Sequence, residues 1–376
     1  MQATASSKDG TGQLPITLVL AKRMRAGVFS AMRRTSSRLP VIFAIASAMA
    51  FALIAASCAR SIEARTEYVI GTLCRIDLQD QGSDSAYREI FARLRSIEDA
   101  MSANKDGTEL DAVNRAAGIA PVAVGADMMA VAVNAVRYAE LSGGAFDPTV
   151  GPLVKLWNIG SPDARIPAPE EIAAALKLID WRELVVDEKA GTLFLKKPGM
   201  RLDFGAIAKG YAADAVAEIL ARRRIRRAVV DLGGNVLVYG KKKDGSPWRV
   251  GVQDPSGLRG SHIGIVRIEA KTLVTSGVYE RFLEEGGRRY HHILSTRDGY
   301  PVSNGLISVT IVADKSVDAD ALSTSAFALG WEKGKALVET IPGAEAIFVW
   351  DDLSVRATPG IKKDFTLSDE RYRIVD

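Results

Sequence analysis

The chain has 376 residues, with 49 Lys and Arg against 45 Asp and Glu and a formal charge of +4. Residues 1–57 hold seven basic groups and one acidic group, so that stretch carries +6 and residues 58–376 carry −2, which excludes an electrostatic grip of the body on a nucleic-acid backbone. Two cysteines and three histidines exclude a disulfide scaffold, a thiolate zinc cage and a multi-histidine metal site, leaving oxygen ligands for any metal.

Residues 1–57 read as an address. Arg33, Arg34 and Arg38 precede an uncharged run over 39–57, a positive region followed by an apolar one, as in an export signal. The run ends in Ala55-Ala56-Ser57, directly before Cys58. Small residues ahead of a cysteine resemble a bacterial lipobox, with Ala55 where Leu is more frequent. Cys58 would then be the lipidated first residue of an exported protein held at the periplasmic face of the inner membrane. An ordinary cleaved signal peptide and an uncleaved anchor are the alternatives. The expected division is a signal or anchor over 1–57, a short tether over 58–66 and a body over 67–376. Cys74 then lacks an intrachain partner and reads as a buried thiol in a strand.

In the body, alternation predicts a strand over 68–78, interrupted at Gly71. Ile90, Phe91, Leu94, Ile97 and Met101 recur at helical spacing and predict a helix over 85–101. Further helices are expected over 126–141, ending at Gly143-Gly144, and over 167–179, opening with Pro and Glu. Strands over 183–186 and 192–196 form a hairpin around Lys189-Ala190-Gly191, and 202–204 is a short strand end. A strong amphipathic helix covers 207–222. Strands follow over 228–232 and 236–239, split by Gly233-Gly234, then over 248–252, 264–268, 273–275, 290–294 and 308–312. A helix over 317–329 and a strand over 346–350 close the pattern. Strands and helices mixed without βαβ regularity predict an α+β fold with mixed or antiparallel sheets and packed helices.

Four clusters could carry chemistry. Gly144-Ala145-Phe146-Asp147-Pro148-Thr149-Val150-Gly151-Pro152-Leu153 is a tight, preshaped loop, or a structural turn over the nearby Trp157. Leu202-Asp203-Phe204-Gly205-Ala206-Ile207-Ala208-Lys209-Gly210 runs from a strand through a glycine turn into a helix start, where free N–H groups suit phosphate and Lys209 adds a cation. It is no Walker loop, and Asp203 as a cap with Lys209 as a solvated helix residue fits equally. In a strand His291 and His292 point to opposite faces, so at most one serves a site as a base. Asp320 and Thr324 share one helical face, a carboxylate and a hydroxyl that suit a hard cation such as Mg²⁺, or an ordinary cap beside an exposed Thr.

These clusters, in this order, resemble the ApbE family of FAD:protein FMN transferases over most of the body. The resemblance rests on the Ala145–Leu153 loop, on Lys209-Gly210-Tyr211-Ala212-Ala213-Asp214 and on Asp231-Leu232-Gly233-Gly234. It continues through Thr275-Ser276-Gly277-Val278-Tyr279-Glu280-Arg281, His292-Ile293-Leu294, Gly299-Tyr300-Pro301 and Ala319-Asp320-Ala321-Leu322-Ser323-Thr324. It implies an ApbE-like, T-fold-like α+β protein, exported and often lipid-anchored. Such a protein uses Mg²⁺ to move FMN from FAD onto a threonine of a partner flavoprotein of a membrane redox complex, releasing AMP. Carried over, Ala145, Phe146, Asp147, Asp203, Lys209 and Leu294 would contact FAD. Asp320, Thr324 and the Ala206 carbonyl would hold the metal with Ser323 adjacent, Asp320 would be catalytic, and His292 would accept the proton. Two further flavin positions depart from the family pattern: Ile70 stands where Met is frequent and Asn104 where a tyrosine is frequent. Ser295-Thr296 replaces a usual Asp-Pro and Asp298 a usual Thr, in what reads as a turn. The loss of an aromatic at Asn104 keeps an FAD pyrophosphatase open as a second reading, and a non-enzymatic periplasmic flavin carrier is the alternative of a different class.

Overall fold

A computed structural model describes residues 63–258 and 260–375; Cys58 and the expected export segment lie outside the described residues. The chain opens with β1 (Arg65–Val69), β2 (Thr72–Asp77), α1 (Asp84–Met101), α2 (Glu109–Arg115), β3 (Val122–Ala123), α3 (Ala126–Leu141), α4 (Gly151–Trp157) and α5 (Pro169–Leu176). It continues through β4 (Leu184–Asp187), β5 (Thr192–Leu195), α6 (Ala208–Arg222), β6 (Ala228–Leu232), β7 (Asn235–Tyr239), β8 (Trp248–Gln253), β9 (His262–Ile268) and β10 (Thr272–Gly277). The rest is β11 (Phe282–Glu285), β12 (Arg288–His291), β13 (Leu306–Ala313), α7 (Ser316–Glu339), β14 (Glu345–Trp350), β15 (Ser354–Ala357), β16 (Phe365–Leu367) and β17 (Arg373–Ile374).

The frame is a nine-stranded sheet in the order β1-β2-β6-β7-β10-β13-β14-β15-β17. Every neighbouring pair is antiparallel except β15 with β17. Period-two alternation sends successive side chains of one strand into two cores. In β14, Ala346 and Phe348 enter the core under α1, α3, α6 and α7, while Ile347 and Val349 enter a second core on the opposite face. That second core is closed by the small sheet β16-β9-β8 through Trp248, Val252, Val266 and Phe365. Both faces of the sheet are therefore dry at β13 and β14, and β13 is buried along nearly its whole length, Ser308 and Thr310 included. A three-stranded sheet, β3-β5-β4, and the hairpin β11-β12 complete the described sheets. Among the described residues no helix is long and apolar enough to cross a membrane.

The single strand expected over 68–78 is a hairpin. Ile70 and Gly71 both take left-handed φ values, 51° and 71°, which is what a two-residue turn between right-twisted strands demands. The helix expected to end at Leu329 does stop there; Gly330, at φ 75° and ψ −178°, breaks α7 before a second helical segment continues to Glu339. The strand end expected at 202–204 has no ladder. Leu202 is instead held by a side chain: its carbonyl accepts from Asn114 Nδ2 at 3.1 Å and its N–H donates to Asn114 Oδ1 at 2.6 Å. His292 falls just beyond β12 rather than within it.

Helices α6 and α7 cross at Gly210. A Cβ built there would lie 2.3 Å from the Ser316 carbonyl oxygen and 2.8 Å from Asp320 Cβ, so only a glycine allows the approach. Asp214, one turn further along α6, accepts the backbone N–H groups of Ser316 and Val317 at 2.9 and 3.0 Å and so caps α7. Gly210→Ala gains about 1 kcal/mol of helix propensity but forces the two backbones apart. We expect a net loss of about 1–3 kcal/mol in urea denaturation followed by circular dichroism, and a stabilised variant would show that the crossing has slack.

Candidate active site

The site grows from the start of α6. Its capping position is Ile207, whose side chain cannot accept a hydrogen bond, so the helix start lacks a cap of its own. The missing acceptor comes from α7: Asp320 Oδ2 takes the Gly210 N–H at 2.8 Å. α7 is buried on nearly every side through Phe327, and Asp320 is only 3% exposed, so its charge must be met by partners. The α6 dipole supplies one and Lys209 the other, with Nζ 3.8 Å from Oδ1. Lys209 Nζ also donates to the Gly205 carbonyl at 3.3 Å, which folds the glycine turn back over the helix start. Asp203 braces that turn, with Oδ1 accepting the Gly205 N–H at 2.7 Å.

Among the described residues, Asp320 Oδ1 thus has a cation nearby but no hydrogen-bond donor of its own. One turn on, Ser323 Oγ donates to the Asp320 carbonyl at 2.8 Å. Ser276 on β10 reaches across to Ser323 Oγ at 2.8 Å and Thr324 Oγ1 at 3.2 Å. The Ala206 carbonyl lies in the turn ahead of α6, outside its ladder. This donor set has one carboxylate, hydroxyls and a backbone carbonyl. Among the described residues no three His, Cys, Asp or Glu gather closely enough to cage a metal. The set fits a small hard cation that keeps waters and shares a substrate's phosphates, and fits neither a zinc cage nor an all-protein calcium site.

The preshaped loop meets this group through its backbone. Asp203 N–H donates to the Pro148 carbonyl at 2.8 Å, and Val150 and Arg201 form an isolated bridge. The side chains of Phe146 and Asp147 turn inward. Phe146 is buried edge-on against Tyr138, with ring centroids 6.5 Å apart. Asp147 Oδ1 accepts from the Thr149 N–H at 2.8 Å and its hydroxyl at 2.6 Å, and Oδ2 accepts from the Trp181 N–H at 3.1 Å. Burial pushes the Asp147 pKa up while these donors pull it back. Both side chains are therefore engaged within the fold. Ala145, half-buried, lines an open cavity of ≈ 790 Å³ with Thr296, Asn304 and Trp331. Thr296 Oγ1 donates to the Gly144 carbonyl at 2.7 Å, and Ser295, Thr296 and Asp298 do lie in a turn.

The two histidines divide cleanly. His291 uses both ring nitrogens: Nδ1 accepts from the Ile293 N–H at 3.3 Å, so Nε2 carries the proton toward the Val302 carbonyl at 2.9 Å. His292 commits one, since Nδ1 faces the Arg281 carbonyl at 3.2 Å and must donate to it. Its Nε2 then holds a free lone pair. Burial first, then the Arg281 and Lys209 charges, lower its pKa to about 3, so it is a neutral acceptor at physiological pH.

The remaining expected residues sit apart. Leu294 is buried with Leu153, Trp157 and Ile172 in an apolar cluster beneath α4 and α5. Ile70 occupies the β1–β2 turn and Asn104 an exposed turn after α1, and neither is joined to the Lys209–Asp320 group by a hydrogen bond or ion pair. Sequence reasoning missed Asn114, Arg281 and Ser276 as site supports. Only Ser276 and Arg281 left a trace, as members of the quoted Thr275–Arg281 segment.

The sequence profile of the ApbE family matches residues 70–348. A Treponema pallidum protein named FAD:protein FMN transferase is 41% identical over 327 residues, covering 82% of this chain and 90% of that one. A Klebsiella pneumoniae protein of the same name is 36% identical over 287 residues, covering 76% and 89%. Among solved structures, the ApbE protein of Thermotoga maritima superposes with a TM-score of 0.72 at 31% identity, covering 80% of this chain and 98% of that one. The flavin transferase ApbE of Vibrio cholerae gives 0.72 at 30% identity with the same coverage. The matched span takes in the preshaped loop, the α6–α7 crossing, β10 and His292, and with identity of this extent the chain belongs to the ApbE family.

Proposed function

We propose that the protein transfers FMN from FAD to a threonine hydroxyl of a partner flavoprotein with the help of Mg²⁺, releasing AMP. The relatives named FAD:protein FMN transferase support the reaction. The observation that carries it in this chain is the placement of Asp320, buried, held at the α6 start and facing Lys209. In the reaction the threonine oxygen bonds to the phosphorus on the FMN side, the pyrophosphate P–O bond breaks, and AMP departs with the bonding pair. Asp320, Thr324 and the Ala206 carbonyl, with Ser323 adjacent, would hold Mg²⁺, whose chemistry is to neutralise charge on the pyrophosphate oxygens. Lys209, with the positive end of the α6 dipole behind it, would bind the phosphates. The hydroxyl proton passes to His292 Nε2, whose tautomer the Arg281 carbonyl sets. The acceptor belongs to a membrane redox complex, and lipidation of Cys58 after export would bring this enzyme to the same surface.

FAD hydrolysis on the same site is the second reading, favoured by Asn104, a polar and exposed residue where a tyrosine would cover the ligand. Mass spectrometry after mixing with FAD, Mg²⁺ and a threonine-bearing acceptor separates the two. An FMN adduct on the acceptor is expected; free FMN and AMP without adduct would establish a hydrolase, and intact FAD would leave a carrier.

Asp320→Ala is expected to lower the transfer rate by about 10²–10³-fold while FAD binding, read by flavin fluorescence, only weakens. Wild-type turnover of that variant at saturating Mg²⁺ would sink the assignment. The pH dependence follows from the lowered His292 pKa. A base with a pKa of about 3 stays unprotonated from neutral pH down through pH 5, so kcat/KM is expected to show no inflection near 6.5. An inflection there that disappears in His292→Gln would mean that His292 titrates as an ordinary imidazole.

A further inference from the structure

Ser276 stands on β10, across the site from the helix that carries Asp320 and Thr324. Its strand is clamped beside β13, where Thr275 and Thr310 bond through their hydroxyls at 2.8 Å. Each hydroxyl has one proton to give. Ser323 gives its proton to the Asp320 carbonyl, because a carbonyl can only accept. The proton in the 2.8 Å contact between Ser276 and Ser323 is therefore that of Ser276. With it committed, the proton in the 3.2 Å contact between Ser276 and Thr324 must come from Thr324. The hydroxyls form a one-way chain from Thr324 to Ser276 to Ser323 to the Asp320 main chain.

We propose that Ser276 is a positioning residue for the cation site: by accepting the Thr324 proton it leaves both lone pairs of Thr324 Oγ1 free on the helix face shared with the Asp320 carboxylate. A hydroxyl that rotated freely would spend part of its time presenting a proton, which repels a cation. The chain removes that state before the ligand arrives, so orientation is set in advance. The same logic holds for outer partners that orient metal ligands generally. This inference rests on the reading of Asp320 and Thr324 as Mg²⁺ ligands.

The test is Mn²⁺ binding by electron paramagnetic resonance to the full chain with FAD present and no acceptor, beside FAD affinity measured without metal and the melting temperature. Ser276→Ala is expected to weaken Mn²⁺ by about 10-fold, with metal-free FAD affinity and melting temperature unchanged. Ser276→Thr keeps the acceptor oxygen and is expected to bind Mn²⁺ as the wild type does. Should Ser276→Ala fail to fold, Ser276→Cys keeps the volume with a poor acceptor and carries the same expectation. Wild-type Mn²⁺ affinity in Ser276→Ala with impaired binding in Thr324→Val overturns the positioning role alone. Wild-type affinity in both variants overturns the metal reading with it. An equal loss of metal-free FAD affinity would assign Ser276 a structural role and overturn the proposal.

Discussion

The site depends on one hydrogen bond between helices, from the Gly210 N–H to Asp320 Oδ2. Ile207 cannot cap α6, and a carboxylate buried in α7 cannot stand alone, so each helix supplies what the other lacks. The exchange is reciprocal, because Asp214 of α6 caps α7 with both of its carboxylate oxygens. Two helix starts are thereby locked together, and the bare backbone at Gly210 is what brings them close enough. The outcome is a carboxylate whose one oxygen is fixed by the Gly210 N–H and whose other oxygen faces Lys209.

The large sheet makes this arrangement rigid. Alternate residues of its central strands β10, β13 and β14 are pinned in different cores, so β10 cannot slide without exposing one of them. Ser276 is delivered to the site with the precision of that strand. The loops are held by different means. Asn114 replaces a missing strand partner for Leu202, and the Pro148 carbonyl ties the preshaped loop to Asp203. Asp203 and Gly205 lie on a turn tied down by hydrogen bonds, while Ser276, Asp320 and Thr324 lie on a strand and a helix, where geometry is tight.

The histidine pair shows how backbone contacts assign roles that residue type leaves open. Both rings are neutral for the same reason, burial, and both face a main-chain carbonyl. His291 spends its second nitrogen on Ile293 and is a structural brace. His292 keeps its second nitrogen free. One hydrogen bond separates a ring with both nitrogens engaged from one with a nitrogen to spare.

Much of the protein was legible in its sequence, for local reasons. Helical spacing in α1 marked the residues that are buried, Gly71 marked a break, and the α+β class followed from elements without βαβ order. The order of the short motifs pointed to the family, and Asp320 with Thr324 could be paired because a helix places i and i+4 on one face. What stayed hidden involves partners far apart in the chain. Asn114 reaches Leu202 over 88 residues, and Gly210 reaches Asp320 over 110. The inward turn of Asp147 also needed the fold, since Trp181 supplies one of its donors. Local periodicity determined which residues are helical, extended or buried. Only the tertiary structure decided which oxygens are spoken for and which remain free, because a hydrogen bond's direction depends on every other bond its donor and acceptor make.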